Sequence, residues 1–161
     1  MNTDTVAAQQ ALWALLIDDW IDKLMAKEVD IAKQMMSKYL ESKPKMERKQ
    51  LSNLVAVAAE TNAVPVVEDW VRYQMGRDDR TPRNWRAGNP AFGDAVLKHL
   101  SELKTEAQRL VSEAKQVKGM NAPKDENAEV DRVWILLTRR FSALLEHSFV
   151  YHKGAGGGGQ S

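Results

Sequence analysis

The chain contains no cysteine in its 161 residues. That excludes a disulfide framework, a thiolate metal site and a cysteine nucleophile, and it fits a reducing compartment. Proline numbers five and glycine nine, and five of the glycines fall in the terminal GAGGGGQS, so helix breakers are sparse elsewhere. No excess of either charge exists: 23 Lys and Arg stand against 22 Asp and Glu, a net of +1. A protein that coats nucleic acid by bulk charge alone is therefore not expected. Long apolar runs are missing too. The run over residues 11–25 is interrupted by Asp18, Asp19 and Asp22, and no positive charge precedes it. The expectation is neither a signal peptide nor a membrane span, and a cytoplasmic protein. No GxxxxGK[ST], GxGxxG, GxSxG or HExxH occurs. His147 and His152 are five apart, about 140° around a helix. Each of the three histidines, His99 included, reads as a surface or interface residue rather than a ligand. Glu60, Glu68 and Asp69 read as helix-terminus residues or partners for nearby arginines, and nothing pairs them as acid and base. Catalytic residues, metals and cofactors are all expected to be none.

What is present is helical periodicity. The chain is 43% hydrophobic and 28% charged, in the range of an ordinary soluble domain with a core. No segment alternates with period two for long enough to form a strand, and no internal repeat is found. A first helix is predicted to run from Thr3 or Asp4 to Lys43. Its apolar stripe is Trp13, Ile17, Trp20, Leu24, Ile31, Met35 and Tyr39, with a weaker stretch at 27–30 where a bend is expected. Trp13 and Trp20 are expected to face inward. The segment 42–45, containing Pro44, reads as a break. A second helix is predicted over 46–61, punctuated by Asn62 and Pro65. A third is predicted over 66–75, with Gly76 as its left-handed cap. Asn89-Pro90 has the form of an N-cap and first helical residue for a fourth helix over 91–118. Its seam of Val96, Leu100, Leu103, Ala107, Leu110, Ala114 and Val117 is answered in a fifth helix over 128–152. There Val130, Trp134, Leu137, Phe141, Leu144 and Tyr151 repeat it, with Ser148 as the weak position. The two helices are expected to pack antiparallel across the linker 119–127. The fold class is all-α: one compact bundle of five helices over 1–153, with 154–161 a flexible Gly-rich tail or an expression remnant.

The charge is local. Arg77, Arg80, Arg83 and Arg86 occur within ten residues opposed only by Asp78 and Asp79, with Trp85 beside the last and Arg72 just upstream. A local cationic patch with an aromatic suits phosphate recognition, because guanidinium forks match phosphate oxygens in pairs and stack on bases. A polar loop whose arginines pair with neighbouring acids is the competing reading. Arg132, Arg139 and Arg140 lie off the apolar seam of the fifth helix. Arg139 and Arg140 are candidates for a second part of the same phosphate-binding surface. A solvated helix face is the alternative.

Two stretches carry a family resemblance. The segment VRYQMGR, residues 71–77, resembles the helix-ending aromatic-x-x-Gly-Arg signature of the Csm-type small subunits of type III CRISPR effector complexes. The segment FSALLEHSFVYHK, residues 141–153, resembles their C-terminal helix, and Lys49-Gln50 at a helix start fits the same order. The Trp-rich first helix and the Arg-rich loop with Trp85 depart from that pattern. The resemblance implies a non-catalytic scaffold, stacked in several copies along the CRISPR RNA and target RNA beside other effector subunits. It carries Arg77 toward the nucleic-acid channel. The remaining residues, Arg72, Arg80, Arg83, Trp85, Arg86, Arg139 and Arg140, come from the charge argument. The other hypotheses are a helical protein-interaction module that binds an acidic protein and a small enzyme with an unrecognised site.

Overall fold

The computed structural model describes residues 3–41, 46–77 and 84–156. Five α-helices are found there, with no strand among the described residues: α1 Thr3–Tyr39, α2 Arg48–Glu60, α3 Val64–Gly76, α4 Phe92–Lys115 and α5 Glu126–Gly156. A short 3-10 turn, Asn84–Arg86, precedes α4. None of these helices is long and apolar enough to cross a membrane.

The bundle is built around α5, which packs against each of the other four helices. Its sequence explains why. Val133, Trp134, Ile135, Leu137, Phe141, Leu145 and Phe149 are all buried, and they cover well over one helical stripe. A helix apolar around most of its circumference must be enclosed by others. Two pairs fix α1 parallel to α5: Trp13 Nε1 donates to Glu129 Oε1 at 3.0 Å, and further along Asp22 pairs with Arg140. α4 runs the other way. Lys115 meets Glu126, while Trp134 Nε1 donates to the Leu100 carbonyl at 2.8 Å. The antiparallel packing expected across 119–127 is therefore present.

The seam residues from Val96 to Ala114 are buried as read. At the far end of α5 the weak seam position Ser148 is buried as read, but Tyr151 is exposed. In α1, Trp13 is buried but Trp20 only partly so, because the buried face continues through Ile21, Met25, Ala32 and Met36. The helix is unbroken at 27–30, where a buried Glu28 takes the core position and lowers the apolar signal. α1 ends at Tyr39, and the break assigned to 42–45 lies outside the described residues. Pro65 opens α3 rather than closing α2. Gly76 is helical, and α3 leaves through Arg77 in extended conformation at φ −61° and ψ 154°, so no left-handed cap is required. Among the described residues the left-handed glycines are Gly88 and Gly119. α4 starts from Ala91, not from Asn89-Pro90, whose peptide bond is cis. α5 continues through Gly156, past the start assigned to the tail, and 157–161 lie outside the described residues.

Candidate nucleic-acid interface

One end of the bundle is assembled around Trp85. Only 2% of this residue is exposed. Its ring meets Trp70 of α3 edge-on at 5.5 Å and Phe92 of α4 at 5.2 Å. Its indole N–H donates to Gln50 Oε1 of α2 at 3.3 Å. Phe92 in turn packs edge-on against Tyr39 at the end of α1, 5.1 Å away. The Tyr39 hydroxyl donates to the Pro90 carbonyl at 2.5 Å, and burial, then the Asp94 charge, push its pKa up. Two glycines permit this closeness. Gly88, at φ +88°, brings its Cα against the Tyr39 ring, and a Cβ there would lie 2.6 Å from Tyr39 Cε1. Gly93 lets Met75 of α3 lie against the first turn of α4. Trp85 is thus a core residue that pins the turn after 78–83, and the expected stacking surface is not open to a base. The physical reason is that its large apolar ring fills the space between Trp70 of α3 and Phe92 of α4.

Pinning Trp85 leaves Arg86 exposed beside it. On the other side of the 78–83 segment, Arg77 is exposed and its Nη1 donates to Gln74 Oε1 at 3.0 Å. Arg72 is exposed and stands 4.0 Å from Glu68. Arg80 and Arg83 lie outside the described residues. Two cations that charge counting in the loop missed join the group. Arg48 and Lys49 are exposed in the first turn of α2, immediately before the Gln50 that holds Trp85. That turn contains no acid. Cations at a helix N-terminus oppose the helix dipole, a small cost of about 0.3–1 kcal/mol each. In sequence Arg48-Lys49 stands next to Glu47, an ordinary mixed helix start, and Lys49 entered only through the resemblance of Lys49-Gln50. Arg48, Lys49, Arg77 and Arg86 form no ion pair with another described residue.

The arginines on the other faces behave differently. Arg139 donates from Nε to the Ala58 carbonyl at 2.9 Å and from Nη2 to the Thr61 carbonyl and Asn62 Oδ1 at 2.8 and 3.0 Å. It closes the C-terminal end of α2, where carbonyls lack helical partners. Arg140 pairs with Asp22, Arg132 with Glu129, and Arg109 with Glu106 and Glu113. Arg139 and Arg140 are therefore engaged within the bundle rather than presented with the loop arginines. Internal partners are what a polar residue near a core acquires to avoid an unsatisfied donor.

His99, read as a surface or interface residue, is buried. Its Nε2 lies 2.6 Å from Glu28 Oε2 and its Nδ1 3.1 Å from Glu102 Oε2, with the Phe141 ring 4.2 Å away. Burial alone pushes the imidazole pKa down, but hydrogen bonds and charge from Glu28, then Glu102, outweigh it and the net shift is upward. The two carboxylates bind opposite ring nitrogens, so they do not converge on a point where a metal could sit. A groove of about 1020 Å³ lies between α4 and the start of α5 and is lined by both signs of charge, including Lys104, Lys124, Asp125 and Asp131. It is far along α4 from the Trp85 cluster. No protein-family model matches the chain, and no curated protein or solved structure matches it either.

Proposed function

We propose that the chain is a non-catalytic, nucleic-acid-contacting small subunit of a type III CRISPR effector complex. In this reading it acts in the cytoplasm, holding CRISPR RNA and target RNA beside other effector subunits and further copies of itself. The observation that carries the reading is the gathering of Arg48, Lys49, Arg77 and Arg86 at one end of the bundle, exposed and unpaired with any described acid. Elsewhere the arginines are held by internal carboxylates and carbonyls. Guanidinium and ammonium groups left without internal partners are those able to neutralise phosphates. The resemblance of residues 71–77 and 141–153 supplies the family. Arg77 ends the first of these segments at this surface. The second segment contributes Phe141, Leu145 and Phe149 to the core, a structural part.

The same cations would also suit an acidic protein, and salt dependence separates the two. Phosphate contacts release condensed counterions, so four contacts to a single strand give a slope of about −3 in log affinity against log salt. Replacing Arg48, Lys49, Arg77 and Arg86 with Gln should flatten that slope and weaken RNA binding across all sequences alike, with the melt retained. A folded four-Gln variant with the parent's affinity and slope would defeat the proposal.

A further inference from the structure

We infer that Tyr73 is a stacking platform for the bases of a single-stranded nucleic acid, an inference that rests on the reading of this surface just given. Tyr73 is 65% exposed on α3, on the side away from the buried Val64, Val67 and Val71. Arg77, at the end of α3, lies four residues on from it, Asp69 lies four residues before it, and Arg72 is adjacent in sequence, so the cations lie toward the C-terminal end of α3. No ring contact joins Tyr73 to another described aromatic, whereas the equally exposed Tyr151 leans on His152 at 5.5 Å. The support beneath Tyr73 is rigid. Trp70, three residues earlier, is half-buried with its ring set edge-on against Trp85, which ties this part of α3 to the turn bearing Arg86.

An open phenol ring one turn from the exposed Arg77 fits a strand whose phosphates meet the cations at this end and whose bases lie on the ring. Every base has a π-face, so such a contact tolerates all sequences. A duplex keeps its bases stacked on one another and offers the ring no face. An apolar protein partner would not require the nearby cations. The aromatic of this interface is therefore Tyr73, and Trp85 fixes the frame that presents it.

The test is equilibrium binding of the full chain to a labelled single-stranded RNA of mixed sequence and to the same strand annealed to its complement. Tyr73→Ala should weaken single-strand binding by about 5- to 150-fold, keep the parent's salt slope and leave duplex binding unchanged. Tyr73→Phe should bind as the parent does, because stacking does not use the hydroxyl. A parent that binds neither RNA defeats the reading of the whole surface. A parent that binds with a steep slope while Tyr73→Ala binds equally well overturns the Tyr73 inference alone. An equal loss in Tyr73→Phe also overturns it, since the contact would then be a hydrogen bond. As a measurement on the unaltered chain, photocrosslinking to thiouridine-bearing single-stranded RNA should place the adduct on Tyr73. An adduct confined to other residues would contradict the inference.

Discussion

His99 couples protonation to folding. Its imidazole is enclosed between Glu28 of α1 and Glu102 of its own helix, with Phe141 of α5 covering the ring. Its pKa is raised in the folded state, so the folded chain holds a proton that the unfolded chain releases near pH 6.5. Stability must then be full below about 6.5 and decline as pH rises through the folded value, because the folded state binds more protons there. The melting temperature should fall as pH is raised from about 6 to about 8, and His99→Gln should flatten that fall. If His99→Gln keeps the parent's decline, another group is responsible. The pairing had a faint sequence signal. His99 follows Val96 by three and precedes Leu103 by four, which places it at the edge of the α4 seam. Glu28 sits in the weak stretch of the α1 stripe. Each is a polar defect in an apolar face, and two such defects satisfy each other when helices pack. Trp85 had no such signal. Its neighbours in sequence are charged and polar, and only tertiary packing brings Gln50, Trp70 and Phe92 around it.

Elements were legible where periodicity was sustained, and their ends were not. The α4 seam identified both the helix and its buried face, since six successive seam positions from Val96 to Ala114 are in the core. The α5 seam identified a helix but understated it, because a heptad reading assigns one partner to a helix that has four. The contiguous apolar run VWILL in α5 was the overlooked mark of a central helix. Helix ends depended on contacts between elements, and Arg139 is the clearest case. Its guanidinium on α5 takes the place of a cap for α2, joining the Ala58 and Thr61 carbonyls across the interface. Charged donors to carbonyls are worth about 1.5–3 kcal/mol each, and the loss in Arg139→Ala should approach that of one such bond after water replaces the more exposed contact. A thermal melt should show the drop. Arg139→Lys should recover little of it, because one ammonium cannot span two carbonyls as the planar fork does. RNA affinity measured below the melt should be that of the parent. A variant with the parent's melt and weakened RNA binding would return Arg139 to the phosphate-binding surface.

Across the whole molecule, a net charge of +1 conceals an uneven distribution. The unpaired cations Arg48, Lys49, Arg77 and Arg86 lie where α2 begins, α3 ends and the 3-10 turn returns to α4. Lys23 and Arg109 lie around a shared groove between α1 and α4, paired with Asp19, Glu106 and Glu113. At 1.5 Å per residue, Arg109 is about 25 Å along α4 from Phe92, more than twice the screening length at physiological salt. Sequence counting treats all these cations alike, and the fold separates them by whether an acid faces them. That separation makes two double variants informative. Arg77→Gln with Arg86→Gln and Lys23→Gln with Arg109→Gln each take the formal net charge from +1 to −1. If attraction to RNA were a matter of net charge, the two would weaken binding equally. Exposed ion pairs contribute about 0–1 kcal/mol, so both variants should fold. If binding is local, the Arg77 and Arg86 variant should lose about 1.4 units of salt slope, two contacts at about 0.7 each, and the Lys23 and Arg109 variant should lose almost none. Equal losses would show that RNA responds to the chain's overall charge rather than to the end of the bundle built around Trp85.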